Sequence, residues 1–309
     1  MKIQMRDDRQ MRALTGVSLA QFEILLDVFT MIYKQMQWQA YQDGLAAGTR
    51  QRQLGGGRKG ALPTMQEKLM FLLYYFKVYP TFDVLGTQFG MARSKANENL
   101  HKLVPVLYQA LVYLEVMPER EFATPSELLE ALAGIYTILI DVTERQHRRP
   151  QDEQKQREHY SGKKRHTLKN TVMTTLEKRI FYLGRTFAGH VHDYTMFKEE
   201  FPPEEAWFVL LQLLVDLGYQ GILTDYEGAD IQLPHKKPRK SKKNPVTSLT
   251  PQQKADNHAL SKIRILVENA ICGLKRYNIL VHPFRNHRQA FDDDAIAIAA
   301  GLWNFNLSY

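Results

Sequence analysis

The chain has 309 residues, of which 44% are hydrophobic and 24% charged, and its formal net charge is +8. This length allows one large or two modest domains, and the basic balance favours a polyanionic partner, most simply nucleic acid. The single cysteine, Cys272, excludes a disulfide framework and a cysteine-based zinc site, and it fits a reducing compartment. No apolar run approaches the ~20 residues that span a bilayer. The N-terminal residues also lack the apolar segment of a signal peptide, so we expect no membrane partner.

The first third of the chain is predicted to be helical, because its apolar residues recur at helical spacing without a strand pattern. Thr81 begins one predicted helix, Gly90 lies in a tight turn, and Ser94 is the expected N-cap of the next helix. Two helices joined by a short glycine-containing turn are the helix-turn-helix layout, although an ordinary helical hairpin shows the same pattern. In the DNA-binding interpretation, the second helix enters a major groove, and four residues near its start contact the DNA: Arg93, Ser94, Lys95 and Asn97.

Two aspartates lie at the ends of apolar segments in the middle of the chain. Residues 134–143, which are rich in β-branched and apolar side chains, are predicted to form a strand with Asp141 near its end. Residues 213–215 are predicted to form a second strand, which terminates in Asp216. A buried carboxylate is costly unless it is paired or coordinates a metal, although a strand-end aspartate can also simply cap a turn. Two further strands are predicted over residues 166–176 and 179–188.

Two segments are dense in lysine and arginine. Residues 144–165 are predicted to form a charged loop, which includes Arg145 and ends in a Gly-Lys-Lys-Arg turn beside Tyr160. Residues 235–243 carry a second basic run. Cations beside an aromatic residue suit contact with phosphate groups, although a solvated loop has the same composition. The candidate DNA contacts here are Lys163, Lys164, Arg165, Lys236 and Lys237.

A long helix is predicted to begin after Thr250, which can act as its N-cap with Pro251 at the first helical position. Polar residues at helical spacing fall on one stripe of this helix: Asn257, Ser261, Arg264, Glu268, Cys272 and Lys275. A surface helix with Arg264 and Glu268 as an i,i+4 ion pair is the plainer alternative. Upstream, the sequence favours a structural role for His192 and Asp193 over direct coordination of a metal ion, because no further His or Cys lies at a suitable spacing.

Taken jointly, these residues closely resemble the bacterial insertion-sequence transposases of the DDE class over nearly the whole chain. The resemblance rests on Asp141-Val142-Thr143-Glu144, on Asp216-Leu217-Gly218-Tyr219-Gln220-Gly221, and on the Arg264-x3-Glu268-x6-Lys275 helix signature. It implies an α/β fold: an RNase H-like mixed sheet flanked by helices over residues 121–309. An all-α DNA-binding domain precedes it over residues 1–120, with the helix-turn-helix at about 66–108. The chain departs from the family pattern at Ser261, where some relatives carry Tyr, and at Ala92, where a small hydroxyl residue is more usual.

The resemblance also implies a reaction. Asp141, Asp216 and Glu268 would hold two Mg²⁺ ions, for which Mn²⁺ can substitute, while Arg264 and Lys275 hold DNA phosphates. The residues expected to support them are His192, Asp193 and Asn257. The expected partners are double-stranded DNA, as terminal inverted repeats and target, and at least one further copy of the chain in a synaptic complex. The expected location is the bacterial cytoplasm, in association with the nucleoid. A non-catalytic DNA-binding protein derived from a transposase, and a nuclease that only cleaves, remain as alternatives.

Overall fold

A computed structural model of the protein describes residues 5–55, 60–132, 134–162, 165–238 and 248–309. The chain divides into two units. The first comprises Met1–Met117, Lys275–His282 and Arg288–Tyr309, and the second Pro118–Leu274 and Pro283–His287. The predicted boundary near residue 120 is close to this division. The C-terminal segment, which the prediction gave entirely to the second domain, falls mostly in the first unit.

Within the described ranges, the helices are α1 (Asp8–Thr15), α2 (Leu19–Ala46), α3 (Met65–Val78), α4 (Phe82–Phe89), α5 (Arg93–Tyr113), α6 (Pro125–Ala131), α7 (Glu153–His159), α8 (Asp193–Glu200), α9 (Ile222–Asp225), α10 (Pro251–Leu274) and α11 (Phe291–Ser308). The strands are β1 (Thr137–Gln146), β2 (Thr167–Thr174), β3 (Ile180–Leu183), β4 (Phe187–Ala188), β5 (Gln212–Leu214) and β6 (Asp230–Gln232). Short 3-10 helices span Leu217–Tyr219 and Asn278–Leu280.

The first unit is helical, as predicted, and its helix ends follow from local chemistry. The Ser18 hydroxyl accepts from the backbone N–H of Gln21, whose side chain accepts in turn from Ser18, so α2 begins with a capping box. The turn between α4 and α5 uses Gly90 with a φ of 68°, which glycine adopts without strain. The prediction of Ser94 as N-cap was wrong: α5 starts at Arg93, and Ala92 occupies the cap without a side-chain hydrogen bond.

The second unit is built on a six-stranded mixed sheet with the order β3-β2-β1-β5-β6, and β4 pairs with β2. Strands β1, β2 and β3 are antiparallel neighbours, whereas β5 runs parallel to both β1 and β6. The predicted strand at 179–188 is broken between β3 and β4, where β2 pairs first with one and then with the other. A three-stranded antiparallel part continued by parallel strands matches the predicted α/β class.

The prediction of a charged loop over residues 144–165 was wrong in part. Strand β1 continues to Gln146, because Glu144 and Arg145 pair with Lys169 and Leu168 of β2. The Arg145 side chain is buried, and its Nη2 donates to Asn170 Oδ1 at 3.0 Å and Thr186 Oγ1 at 2.8 Å, so it is no phosphate contact. The conformation of this segment is thus determined by a cross-strand partner 25 residues away and not by its polar local sequence.

The two faces of the sheet are covered by different elements. One face carries the main core cluster, to which β1 contributes Ile138 and Ile140 and β5 contributes Leu213. Helix α10 contributes no residue to that cluster and packs on β1 and β2. It therefore covers the other face, toward which Leu139 and Asp141 point, since successive strand residues alternate.

In the part of the chain that the structure describes, no single helix is long and apolar enough to cross a membrane. Helices α1 and α2 meet that test only as a pair, and they are bent by 55° at their junction.

Candidate active site

Asp141 and Asp216 are brought level with each other by the parallel pairing of β1 and β5. Leu139 lies opposite Leu214 in the register of the two strands, and both aspartates follow two residues later. Because side chains on parallel neighbours alternate in step, the two carboxylates point to the same face of the sheet. That face is the one covered by α10, and α10 carries Glu268.

Local hydrogen bonds fix both aspartates. Asp141 Oδ1 accepts from the backbone N–H of Val142 at 2.8 Å. Asp216 is the N-cap of the 3-10 helix that follows β5, and its Oδ1 accepts from the Gly218 N–H at 2.7 Å. A Cβ at position 218 would lie 2.8 Å from that oxygen, so a glycine is needed for this orientation of the carboxylate.

Helix α10 begins where the sequence predicts. The Thr250 hydroxyl accepts from the Gln253 N–H at 3.2 Å, and the Gln253 side chain accepts from the Thr250 N–H at 3.0 Å. Glu268 lies on an exposed part of the helix, and Arg264 is half-buried one turn before it. Among the described residues these two form no ion pair, and the buried Nε of Arg264 makes no hydrogen bond. The plain surface ion pair is therefore absent.

The negative charges of Asp216 and Glu268 both act on the carboxyl group of Asp141. The pKa of the Asp141 carboxyl is raised to about 6, mainly by burial and to a smaller extent by the negative charges of Asp216 and Glu268. The Val142 N–H and the positive charge of Arg264 oppose this rise. Three carboxylates from separate elements and one guanidinium thus share a single electrostatic environment.

The donor chemistry of this group suits a hard divalent cation. Mg²⁺ prefers carboxylate oxygens, and a positive ion would relieve the mutual repulsion that raises the pKa of Asp141. Among the described residues, however, no three His, Cys, Asp or Glu side chains lie in a group that could hold a metal ion together.

Tyr219 is a buried neighbour of this site that the sequence analysis did not single out as a side chain of interest. Its hydroxyl is buried without a hydrogen-bond partner among the described residues. Burial raises the pKa of Tyr219 well above its ordinary value, and the charges of Asp141, Asp193 and Asp216 add to this effect. Its position three residues after Asp216 was the available signal.

The predicted supporting residues make other contacts. His192 is the N-cap of α8, and its Nδ1 accepts from the Tyr194 N–H at 3.3 Å. Asp193 accepts from Lys169 Nζ at 2.9 Å. Neither forms a hydrogen bond or ion pair with the three acidic residues in the described part of the chain.

Asn257 instead holds the basic segment before α10. Its amide accepts from the His235 N–H at 2.7 Å and donates to the His235 carbonyl at 3.0 Å. This double contact fixes the backbone next to Lys236 and Lys237, both of which are exposed. The Lys236 ammonium reaches Gln220 Oε1 at 3.4 Å.

The remaining predicted DNA contacts lie on exposed surface where the structure describes them. Arg93, Ser94 and Lys95 are exposed at the start of α5, Asn97 is half-buried, and Lys95 pairs with Glu98 at 2.7 Å. Arg165 is exposed, and so is Lys275, which follows α10 and belongs to the first unit. Lys163, Lys164 and the basic run at 239–243 lie outside the described residues.

Comparison with known proteins gives two family matches and one similar relative. Residues 140–304 match the family described as DDE superfamily endonuclease, and residues 60–112 match the helix-turn-helix of DDE superfamily endonuclease. The chain is 27% identical over 304 residues to a probable transposase for insertion sequence element IS702 from Microchaete diplosiphon, covering 97% of this chain and 95% of that one. No solved structure matches the chain.

The predicted RNase H-like α/β fold with an N-terminal helix-turn-helix is thereby confirmed, and the ordinary helical hairpin is excluded. The family match begins within β1, and it covers Asp141, Asp216 and the whole of α10 with Glu268. The chain belongs to the DDE superfamily of endonucleases and is a transposase of the insertion-sequence type.

Proposed function

We propose that the protein binds the terminal inverted repeats of its element, nicks the DNA at the element ends and joins the freed 3′-hydroxyl to target DNA. The observation that carries this proposal is the convergence of Asp141, Asp216 and Glu268 on one face of the sheet. There the negative charges of Asp216 and Glu268 raise the pKa of Asp141. Carboxylate oxygens are the ligands that Mg²⁺ prefers, and two such ions can stabilise both the attacking and the leaving oxygen of a phosphodiester displacement.

The metal we propose is Mg²⁺, as two ions, with Mn²⁺ as a substitute. Asp141, Asp216 and Glu268 would hold these ions through their carboxylate oxygens. When bound, the ions neutralise the charge that develops on the phosphate and activate the attacking hydroxyl. The exposed position of Glu268 suits a ligand that closes on the ions from the helix side.

The cationic side chains have the complementary task of holding DNA. Arg264 already lies within electrostatic reach of Asp141 and has a buried Nε without a partner, so a phosphate at the site would supply that partner. Lys275 would contact a flanking phosphate. We assign major-groove contact to Arg93, Ser94, Lys95 and Asn97, and backbone contact to Lys163, Lys164, Arg165, Lys236 and Lys237. Asn257 would position the last two lysines through its contacts with His235, and His192 and Asp193 would shape the α8 end of the site.

The test is cleavage of DNA that carries the ends of the element, with Mg²⁺, with Mn²⁺ and with EDTA. We expect metal-dependent nicking at the ends by the wild type, and none by Asp141→Asn, Asp216→Asn or Glu268→Gln. Asp230→Asn is the matched control, because it neutralises an exposed carboxylate on the same sheet. Its nicking should equal that of the wild type.

A second substrate, with the element end already cut, separates the reaction steps. Joining of this end to target DNA supports the full transposase reaction. Nicking without joining would reduce the proposal to a nuclease that only cleaves. Specific binding without nicking under every metal condition would leave a non-catalytic DNA-binding protein. The reaction requires two ends to be held together, so we also propose that at least two copies act in one complex.

A further inference from the structure

Helix α2 extends well beyond the core of the first unit. The side chains that it buries stop at Ile32, although the helix continues to Ala46. Residues 34–40 are all exposed. Among the described residues no other element buries this stretch, and a helix without such packing is only marginally stable by itself in water, so residues 34–40 would gain from a partner.

The exposed side of α2 carries a regular apolar line. Ile24, Met31, Trp38 and Leu45 follow one another at intervals of seven, and each is between 38% and 54% exposed. A seven-residue interval keeps side chains in one line along a helix, as in the seam of a coiled coil. We call these four residues the α2 seam.

The α2 seam lies opposite the face that α2 buries in its own unit. At about 100° per residue, the seam is centred roughly half a turn from the buried face. That face consists of Phe22, Leu25, Leu26, Phe29 and Ile32. Between the seam residues, on the same side, lie Val28 and the uncharged Gln35 and Gln42. The seam is therefore a second apolar side of the helix, not an extension of the core.

The charges on α2 disfavour DNA as the partner that binds the α2 seam. In a chain of net charge +8, this helix carries three carboxylates, Glu23, Asp27 and Asp43, against one lysine, Lys34. A surface that follows a phosphate backbone needs the opposite balance. The apolar line and its acidic border suit a protein surface instead.

The same charges suit a second copy of α2 in the antiparallel direction. Asp27 precedes Met31 by four residues and Lys34 follows it by three, so the opposite charges stand almost symmetrically about Met31. A two-fold axis near Met31 places Asp27 of each copy opposite Lys34 of the other. It also places Ile24 beside Trp38 and Met31 beside its own counterpart. A contact of this kind is self-complementary, as a two-fold dimer requires.

We propose that two copies of this chain associate through the α2 seam, with the two helices antiparallel and the two-fold axis near Met31. This dimer rests on the proposed function, in which two copies of the chain act together on two element ends. The α2 seam would be the surface through which these two copies contact each other. The contact is a single pair of helices, smaller than a standard interface of about 1,600 Å². It is therefore a reversible dimer that DNA strengthens by holding two copies together.

The experiment is sedimentation of the full-length chain without DNA or metal, over roughly 1–100 µM, a range chosen around the micromolar affinity of weak contacts. We expect the weight-average mass to rise from monomer toward dimer across this range. Met31→Glu places two like charges on the axis and should weaken the dimer at least about tenfold. Met36→Glu is the matched control, since Met36 is also an exposed methionine on α2 but lies on a different side. It should leave the dimer unchanged.

The orientation is tested by exchanging the flanking charges. Asp27→Lys alone brings lysine opposite lysine and should weaken the dimer, whereas Asp27→Lys with Lys34→Asp restores opposite charges and should recover it. A monomeric wild type over the whole range, equal effects of Met31→Glu and Met36→Glu, or no recovery in the double exchange would overturn the proposal. Nicking of a single element end by Met31→Glu is measured in parallel. It reports on the catalytic proposal separately, because that step needs no pairing of ends.

Discussion

Glu200, the last residue of α8, should make the stability of the second unit depend on pH in an unusual direction. Both of its carboxylate oxygens are buried, find no hydrogen bond of ordinary geometry among the described residues, and lie against Gly184. The pKa of Glu200 is raised to about 7 because the effect of burial exceeds the opposing effects of the Thr171 hydroxyl and of the charges of Arg185 and Arg120. The folded protein therefore holds a proton at this site that the unfolded chain has already released.

The size of this effect follows from the two pKa values. The unfolded carboxyl has a pKa near 4.5, and a rise to about 7 corresponds to about 3 kcal/mol of lost stability once the pH exceeds both values. The loss begins as the pH rises above 4.5 and is complete slightly above 7. Glu200→Gln retains the shape of the neutral carboxyl, so it should match the wild type at pH 4.5. At pH 8 it should be more stable by about 1–3 kcal/mol.

Urea unfolding of both proteins between pH 4.5 and pH 8 measures this difference, and subtraction removes the contribution of every other titrating group. Glu199→Gln is the control, because it removes an exposed carboxylate that pairs with Arg185 at 2.6 Å. Such surface pairs contribute below about 1 kcal/mol. A stability difference between wild type and Glu200→Gln that stays constant with pH would refute the reasoning, since it would mean that Glu200 titrates alike in both states.

Three further substitutions test the packing around the two units by thermal or urea unfolding. Gly86→Ala should destabilise the helix-turn-helix by about 1–3 kcal/mol, because the new Cβ would lie 2.5 Å from the Met91 carbonyl oxygen; no loss would show that the turn can move aside. Tyr219→Phe should leave stability unchanged or raise it by about 1 kcal/mol, because it removes a buried hydroxyl without a described partner; a large loss would reveal a partner for that hydroxyl. Asn170→Ala should cost about 2–3 kcal/mol by removing an acceptor from the buried guanidinium of Arg145, and an effect below 0.5 kcal/mol would contradict this.

The elements that local sequence determines were predicted well. The N-terminus of α10 follows from Thr250 and Pro251, whose capping chemistry lies within four residues of the helix start. The strands that lead to Asp141 and Asp216 were found from β-branched and apolar composition alone. Their side-by-side position could be expected only from the family resemblance, because strand order depends on pairing between residues about 75 apart along the chain.

The wrong prediction at Arg145 has a physical cause, which is a partner distant in sequence. Arg145 looks solvated among its charged neighbours, yet Asn170 and Thr186 supply enough hydrogen bonds to bury it. No prediction was made for Glu200, which lies in an ordinary helical sequence; only its position against Gly184 shows that its carboxylate is enclosed. Composition indicates which residues are polar, but not which of them receive partners from another strand.

The parallel register of β1 and β5 has a consequence for how this chain can tolerate insertions and deletions. A shift of two residues along β5 would displace Asp216 by about 7 Å but keep it on the α10 side of the sheet. A shift of one residue would turn it into the apolar cluster on the opposite side. Length changes in the segment before Gln212 can be absorbed by the connection. Within residues 212–216, a single inserted or deleted residue should abolish catalysis while leaving the helix-turn-helix able to bind DNA.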